Sequence, residues 1–134
     1  SDHGNWRHLH WNAILSAYNM SPFFEYYEED FAPFYEKRYE FLMDFNDALQ
    51  ETILHLIDLQ PSIQQTTEYQ PEVCHDFREA IRPRQPMADP SFAPKSYYQV
   101  FQEKHGFLPN LSIADLLFNM GPESILVIRD SIVK

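Results

Sequence analysis

The stretch PFYEKRYEFLMDFNDALQETILHLIDL, which spans residues 33–59, decides the fold that the sequence predicts. Its apolar side chains recur every three or four residues, which is the spacing of one face of an α-helix. That stripe passes through Phe34, Arg38, Phe41, Phe45, Leu49, Thr52, Leu56 and Leu59. The opposite face is acidic and should be solvated, and Pro61 ends the pattern because proline cannot continue a helix. The sequence therefore predicts one long central helix from Pro33 to Leu59.

The chain before this helix predicts a shorter helix and an aromatic turn. Residues 5–18 repeat apolar side chains at helical spacing, with His10 on the predicted inward stripe beside Trp6 and Ile14. Ser21 and Pro22 match an N-cap followed by proline in the first helical position. They precede four aromatic residues between positions 23 and 27. We therefore expect a helix over residues 5–18, followed by this short turn.

The chain after the central helix predicts a strand and a long loop. Side chains alternate between positions 63 and 69, so Ile63 to Tyr69 is predicted to form one short strand. A lone strand needs a partner for its backbone groups, and no convincing second strand follows. Residues 70–95 are rich in proline and are expected to form a loop, in which only residues 73–81 have helical spacing.

Three helical pieces are predicted for the end of the chain. Residues 96–99 match a capping box, and Gly106 ends the helix that they open. Residues 112–115 resemble a second capping box, in which Asp115 serves the helix start. Gly121 stops that helix, and Pro122 begins the last one. The predicted fold is therefore mainly α: a compact single domain over residues 1–134 around one long central helix, with at most a short β element.

Length and charge exclude several classes of function. The chain has 134 residues, of which 44% are hydrophobic, and this suits one domain with a core. Its formal net charge is -10, so we expect binding neither to nucleic acid nor to an anionic membrane surface. No stretch is long and apolar enough to predict a membrane span. Cys74 is the one cysteine and is expected to be a free thiol, which suits a cytoplasmic protein because disulfides are rare there.

Histidines crowd the start of the chain, but their spacing does not predict a metal site. His8 and His10 are two residues apart and therefore point away from each other on a helix, and His3 adds no zinc-site spacing. We expect no metal and no cofactor. His10 keeps two interpretations: a core histidine bonded to a backbone carbonyl, or a general base in a cleft lined by Trp6 or Trp11.

Arg78, Arg82 and Arg84 form the only dense basic cluster in the sequence. In an acidic protein such a cluster could bind a phosphate, a carboxylate or the pyrophosphate of a nucleotide-sugar, because guanidinium groups pair with their oxygens. The other interpretation is charge balance with nearby carboxylates. Those carboxylates belong to Asp76, Glu79 and Asp89.

Several runs of residues, taken in order, resemble one protein family. They are DHGNWRHLHW at 2–11, SPFFEYY at 21–27, YEKRYEFL at 35–42, TTEY at 66–69, YYQVFQ at 97–102, LPNLSI at 108–113 and DLLFNMGP at 115–122. These runs are similar to the WbqC-like family of bacterial proteins, which are found with surface-polysaccharide (O-antigen) gene clusters. The resemblance covers nearly the whole chain.

The resemblance implies a function in the biosynthesis of lipopolysaccharide-type surface polysaccharide. Some members of the family are described as transferases that move a small acyl group, such as glycyl, to an amino sugar of a nucleotide-sugar precursor. Family members normally carry an N-terminal α/β portion before the first helix found here. We therefore expect the chain to be the C-terminal two-thirds of a longer protein, with that portion as the partner of the lone strand.

The family pattern also marks polar positions to test. They are Asn5, Arg7, His10, Glu68, Tyr69, Tyr98, Gln99 and Asp115. Two residues are predicted to be catalytic, namely His10 and Glu68. The predicted substrate-binding residues are Asn5, Trp6, Arg7, Trp11, Tyr69, Arg78, Arg82, Arg84, Tyr98 and Gln99. The structural roles open to the family-marked polar residues are helix caps and buried hydrogen-bond partners.

A second hypothesis is a helical binding or scaffolding module without chemistry of its own. The sequence contains no recognised catalytic motif, and aromatic residues crowd positions 23–34. Exposed aromatic side chains are typical of surfaces that dock another protein. This hypothesis leaves a homo-oligomer open as well as a different partner chain.

Overall fold

The computed structural model describes residues 4–82, 84 and 87–133, and its fold is mainly α, which confirms the predicted class. The helices are α1 (Trp6–Tyr18), α2 (Phe24–Glu36), α3 (Leu42–Leu56), α4 (Gln102–His105), α5 (Ile113–Met120) and α6 (Ser124–Asp130). A short 3₁₀ helix, Gly121–Glu123, joins α5 to α6. Across the described ranges the β structure is one isolated bridge between Phe92 and Ile132. None of the described helices combines the length and apolar character needed to cross a membrane.

The single central helix predicted over residues 33–59 is wrong, because the structure has two helices in this region. Helix α2 already begins at Phe24, where the sequence predicted only a turn, and it ends at Glu36. Lys37 is extended with a ψ of 140°, and α3 starts after Phe41, which is extended with a ψ of 137°. The break places Arg38 in an exposed loop instead of on an apolar helix stripe.

Aromatic packing across the break explains why the helix does not continue. The Phe45 ring of α3 meets the rings of Phe34 and Tyr35 of α2 at centroid distances of 6.0 and 6.4 Å, and that of Tyr39 at 5.5 Å. In an unbroken helix Phe34 and Phe45 would lie about 16 Å apart along the axis, since each residue adds about 1.5 Å. Edge-to-face ring contacts of this kind favour the folded-back arrangement over local helix propensity.

Helix α1 confirms the predicted helix, but its buried face differs from the predicted one. The residues that pack against the core are Trp11, Ile14, Leu15 and Tyr18, which follow helical spacing. His10 is exposed, so its placement on an inward stripe is wrong. The physical reason is that the buried stripe is centred one residue further along than predicted, and neighbouring residues on a helix point about 100° apart.

The turn between α1 and α2 also differs from its predicted chemistry. Ser21 does not cap α2, because the helix starts three residues later and its N-cap residue, Phe23, makes no side-chain cap bond. The Phe23 N–H instead donates to the Phe118 carbonyl at 2.9 Å, which ties the turn to α5. Ser21 is buried, and its hydroxyl has no hydrogen-bond partner among the described residues.

The core is centred on the aromatic ring of Phe118, which is fully buried in α5. Its centroid lies 5.1 Å from the ring of Tyr18, 5.1 Å from that of Phe24 and 5.0 Å from that of Phe31. Helices α1 and α2 thus close over α5 by ring packing, which carries most of the apolar burial here. Tyr27, Ile57 and Leu117 complete the buried cluster.

The strand predicted for Ile63 to Tyr69 is wrong, because this segment is exposed loop. Its backbone makes no strand ladder with any described residue, and period-two spacing alone cannot satisfy the backbone groups of a strand. Residues 73–81 do not form a helix either. Their helical spacing yields only a turn, in which the Ile81 N–H donates to the Phe77 carbonyl at 3.1 Å.

The ends of the C-terminal helices follow the predicted signals closely. The Ser112 hydroxyl accepts from the Ala114 N–H at 3.2 Å and caps α5 as predicted. Gly106 and Gly121 both have positive φ, 70° and 58°, and both follow the last residue of a helix. The capping box predicted at residues 96–99 is wrong, because α4 begins only at Gln102.

Candidate functional site

The predicted N-terminal site residues form one aromatic cluster at the surface. The ring of Trp6 lies 5.4 Å from that of His10, and the Arg7 guanidinium lies 5.9 Å from the Trp6 ring centroid. Trp11 stacks on Tyr35 at 5.5 Å. The structure therefore brings four of the predicted residues together around two tryptophan rings, and Asn5 adjoins them as the N-cap residue of α1 without a side-chain cap bond. His3 lies outside the described residues.

A second group of predicted residues lies in the exposed loop after α3. The Arg78 guanidinium lies 5.3 Å from the ring centroid of Tyr69, a cation–π contact. The same guanidinium donates to the carbonyls of Gln70 and Pro71 at 2.8 and 3.1 Å and pairs with the Asp76 carboxylate. The hydrogen bonds from Arg78 lower the pKa of Asp76 to about 2. Arg78 therefore braces this loop, and its donors are engaged within the chain.

The remaining members of the loop group are exposed. Arg82 pairs with Glu79 at 3.2 Å, which agrees with charge balance for this arginine. Asp89 instead accepts from the backbone N–H and hydroxyl of Ser91, at 2.9 and 2.5 Å. Glu68 and Arg84 are both exposed. Cys74 is exposed and free.

The third group surrounds a buried carboxylate, Asp115, which is only 5% exposed. Its Oδ2 accepts from the Tyr97 hydroxyl at 2.6 Å and from the Gln99 Nε2 at 3.1 Å. The Gln99 side chain also forms two hydrogen bonds with the backbone of Leu108. Its Nε2 donates to the Leu108 carbonyl and its Oε1 accepts from the Leu108 N–H, each at 2.9 Å. These bonds clamp the segments on either side of α4 to α5.

The position of Asp115 corrects its predicted role in a capping box. Asp115 lies in the first turn of α5, where the helix dipole favours a negative charge. Its side chain points to Tyr97 and Gln99, while Ser112 alone supplies the side-chain cap. A buried carboxyl group needs hydrogen-bond partners in place of water, and Tyr97 and Gln99 supply them to Asp115.

Two tyrosines next to Asp115 hold their protons unusually strongly. Burial raises the pKa of Tyr97 to about 12, and the nearby Asp115 carboxylate adds to the rise. Burial also raises the pKa of Tyr18, and Asp115 contributes there too, by charge and by hydrogen bonding. Both phenols therefore remain hydrogen-bond donors throughout the physiological pH range. Asp115 is therefore a hydrogen-bond acceptor that faces two phenol groups.

A cleft of about 170 Å³ opens beside this carboxylate. Its walls come from α1, α4, the segment before α4, the segment after it and α5. The lining residues are Ala17, Tyr18, Gln99, Val100, Phe101, His105, Gly106, Leu108, Leu111 and Asp115. None of the residues that line this cleft is a lysine or an arginine, so Asp115 has no fixed cation opposite it there. We call this the Asp115 cleft. Its chemistry suits a small ligand that presents N–H or O–H donors, such as an amine or a sugar hydroxyl.

Sequence reasoning identified only part of the Asp115 cleft. Gln99 and Asp115 were both marked by the family pattern, and Gln99 indeed lines the cleft. Tyr98, by contrast, is 46% exposed and does not line it. Tyr18, Tyr97 and His105 were missed, although the adjacent tyrosines of the run YYQVFQ were a signal for one of them. His10, Glu68 and the arginines do not line the cleft.

Comparison with known proteins identifies a family. The model of the WbqC-like protein family matches residues 1–82 of the chain. The curated proteins give no match, and neither do the solved structures. The matched segment comprises α1, α2, α3 and most of the following loop, and it includes Tyr18 of the Asp115 cleft.

Proposed function

Because the chain belongs to the WbqC-like protein family, we propose that it acts in the biosynthesis of bacterial surface polysaccharide such as lipopolysaccharide. The reaction is transfer of a small, glycyl-type acyl group to the amino group of a sugar in a nucleotide-sugar precursor. Membership of the family supports a role in surface-polysaccharide biosynthesis. The Asp115 cleft supports an amino group as the acceptor of the acyl group. The proposal places the protein in the cytoplasm, a reducing compartment in which a free thiol such as Cys74 persists.

One observation supports this proposal above all. The buried Asp115 carboxylate lines a small cleft, and no lysine or arginine lines that cleft. An amino group donates hydrogen bonds. When it is protonated, it also supplies a positive charge that can pair with Asp115. The cleft would hold the amine of the sugar, and the larger nucleotide part would lie outside its volume of about 170 Å³. A protonated amine would first give one proton to a base, and Asp115 would then hold the neutral nitrogen with its lone pair towards the acyl group.

The transfer itself has a simple balance of bonds. The amine nitrogen attacks the acyl carbonyl carbon, so a C–N bond forms and the bond from the acyl carbon to its carrier breaks. The carrier leaves with the bonding electron pair, and the amine loses one proton to a base. Asp115 and His105 are the titratable groups that line the cleft besides Tyr18, whose raised pKa keeps it protonated.

His10 and Glu68 do not line the Asp115 cleft, so a catalytic role for these two residues is a separate proposal. His10 lies at the edge of the Trp6 ring, and Glu68 lies in the loop beside Tyr69. In that separate proposal they are the catalytic groups, and the two tryptophans, Arg82 and Arg84 contact the nucleotide. Unchanged nucleotide-sugar binding in the double variant R82A/R84A would remove the arginines from the proposal.

Calorimetric titration with a nucleotide-sugar tests the proposal directly. The probe is a nucleotide-sugar with a free amino group on the sugar, compared with the same compound N-acetylated. We expect the free amine to bind more tightly, and Asp115→Asn to weaken it by about tenfold, because a charge-assisted hydrogen bond contributes about 1.5–3 kcal/mol. Asp44→Asn, which changes an exposed carboxylate on α3, is the matched control and should leave binding unchanged.

Two results would contradict the amine site. One is equal affinity for the free and the acetylated compound in the original chain. The other is an equal loss of affinity in the Asp115 and Asp44 variants. Circular dichroism melts of both variants show whether the folded state is retained before the titrations are compared.

A specific surface favours the alternative function, a binding or scaffolding module. Phe41, Leu42 and Met43 are consecutive apolar residues that are 61%, 61% and 55% exposed. Contiguous exposed apolar residues are typical of protein-binding surfaces. Light scattering at increasing concentration tests self-association through this patch. An increase in mass that Leu42→Glu abolishes would support the module, and a constant monomer mass would count against a homo-oligomer.

A further inference from the structure

A second cleft, of about 290 Å³, lies on the other side of Tyr97. Three segments form it: residues 92–97, residues 107–116 and the end of α6 with the residues after it. Its lining residues are Phe92, Pro94, Lys95, Tyr97, Phe107, Asn110, Leu111, Ser112, Ile113, Leu116, Val127, Ile128, Ser131 and Ile132. Most of them are apolar. We call this the Lys95 cleft.

Hydrogen bonds around Ser131 hold the walls of the Lys95 cleft together. The Lys95 N–H donates to the Ser131 hydroxyl oxygen at 3.0 Å, and the Ala93 N–H donates to the Ser131 carbonyl at 2.8 Å. The Ser131 hydroxyl in turn donates to the Val127 carbonyl at 2.8 Å. On the opposite side, the Tyr97 ring meets Phe107 edge-on at 5.2 Å. The cleft is therefore a built feature of the fold and not a gap between loosely placed loops.

The charge of the Lys95 cleft is opposite to that of the whole chain. Lys95 is the one charged residue among those that line it, and no aspartate or glutamate does so. The chain as a whole carries a formal net charge of -10. Within the described part of the chain, the structure gives the Lys95 ammonium no ion-pair partner. The cleft therefore combines an apolar interior with a single uncompensated cation.

We propose that the Lys95 cleft binds a monocarboxylate with an apolar body. The apolar body would lie against the apolar walls and the carboxylate would pair with Lys95, while Asn110 and Ser112 also line the cleft as neutral donors. Its volume of about 290 Å³ is at the lower end of the range of about 300–1,000 Å³ for ligand pockets, so the cleft suits a small ligand. This inference depends on the lining of the cleft and does not require the proposed acyl transfer.

The Lys95 cleft and the Asp115 cleft share a wall. Leu111 lines both, and the Tyr97 ring lines the Lys95 cleft while its hydroxyl donates to Asp115 at 2.6 Å. A ligand that displaces the Tyr97 ring would therefore lengthen its bond to Asp115. The two clefts are thus neighbours that the Tyr97 side chain and Leu111 connect.

Titration with octanoate tests this inference, because octanoate has ten non-hydrogen atoms and one carboxylate. We expect octanoate to shift the NMR signals of residues around Tyr97 and Ile128, and octanol and octylamine to bind more weakly. Lys95→Gln should weaken octanoate binding by about fivefold at low salt, since an exposed ion pair contributes up to about 1 kcal/mol. Lys104→Gln on α4 is the matched control, because Lys104 is exposed and does not line the cleft.

A second variant tests the interior of the Lys95 cleft. Val127→Phe adds bulk at a lining position and should reduce octanoate binding through the interior of the cleft. Equal binding of octanoate and octanol, equal effects of the two lysine variants, or signal shifts confined to residues outside the cleft would each overturn the inference. No nucleotide-sugar is present in this experiment, so its failure would leave the proposed transferase function standing on its own test.

Discussion

At the scale of single residues, the most informative side chains are buried polar groups whose partners come from distant parts of the chain. Asp115 accepts from Tyr97 and Gln99, which are sixteen or more residues away in sequence. Each of these residue types is common at a surface or a helix start. Their combination at one place depends on how α5 packs, so the pattern could mark Gln99 and Asp115 but could not show that they meet.

Ser21→Ala is expected to stabilise the protein by about 1 kcal/mol. The Ser21 hydroxyl is buried without a hydrogen-bond partner among the described residues, and an unpaired buried hydroxyl costs about 1–3 kcal/mol. The free energy of unfolding from urea denaturation measures the change. Ser131→Ala is the contrasting control: it removes the acceptor for the Lys95 N–H and should destabilise the fold. Destabilisation by both substitutions would contradict the conclusion that the buried Ser21 hydroxyl has no hydrogen-bond partner among the described residues.

The Asp76 carboxyl should titrate with a pKa of about 2, well below the ordinary value of 3.8, because Arg78 donates hydrogen bonds to its charged form. Because the pKa of Asp76 is lowered in the folded state, its bonds to Arg78 stabilise the loop at pH values above the ordinary pKa of 3.8. That stabilisation is lost as the pH falls from about 4 towards 2. Carbon-detected NMR of the carboxyl group measures the pKa. Arg78→Gln should return it towards 3.8, and an unchanged value in that variant would contradict the pairing.

At the scale of secondary structure elements, local signals decided where helices end, and remote contacts decided where they break. Gly121 ends α5 with a φ of 58°, a conformation that favours glycine. The break between α2 and α3 has no such signal, since residues 37–41 contain neither glycine nor proline. That break follows from the packing of Phe45 against aromatic rings of α2.

Gly121→Ala is expected to destabilise the fold by about 3 kcal/mol or more. A Cβ at this position would lie 2.5 Å from a ring carbon of Phe23, and the positive φ adds strain. Gly106→Ala is a matched control, because Gly106 has a similar φ of 70° but nothing within 4 Å of an added Cβ. It should cost about 1 kcal/mol. Thermal melts compare the two, and equal costs would contradict the contact with Phe23.

Phe45→Ala should destabilise the packing of α3 on α2 by about 2–4 kcal/mol, because its ring contacts four aromatic side chains in a partly buried site. Phe41→Ala provides the control, since Phe41 is 61% exposed and should change stability by less than about 0.5 kcal/mol. Urea denaturation followed by tryptophan fluorescence measures both, because Trp6 contacts Phe45. The same cost for both substitutions would show that the ring cluster does not hold α3.

At the scale of the whole molecule, the chain consists of a packed helical body and a long exposed segment. The body buries rings from α1, α2 and α5 around Phe118, whereas residues 61–79 are exposed throughout. Arg78 organises part of that segment by local bonds to Gln70, Pro71 and Asp76. The two clefts lie in the body, whereas Glu68, for which a catalytic role is proposed separately, lies in the exposed segment.

Limited proteolysis should show this division. Chymotrypsin is expected to cut first after Tyr69 and Phe77, which are 80% and 51% exposed in irregular backbone. Aromatic residues of α1 and α2 should be cut later, because cleavage there requires unfolding of a helix. Mass spectrometry of early time points identifies the cuts. Initial cleavage within α1 or α2 would contradict the division into body and exposed segment.

The sequence by itself determined the helical class, the extent of α1, the cap of α5 at Ser112 and the glycine ends of α4 and α5, because helical spacing and capping involve neighbours within one turn. Only the tertiary structure decided the break after Glu36, the outward position of His10 and the burial of Asp115 between Tyr97 and Gln99. These three features depend on contacts between residues that are far apart in the chain. Their free energy comes from ring packing and buried hydrogen bonds, which no local pattern encodes.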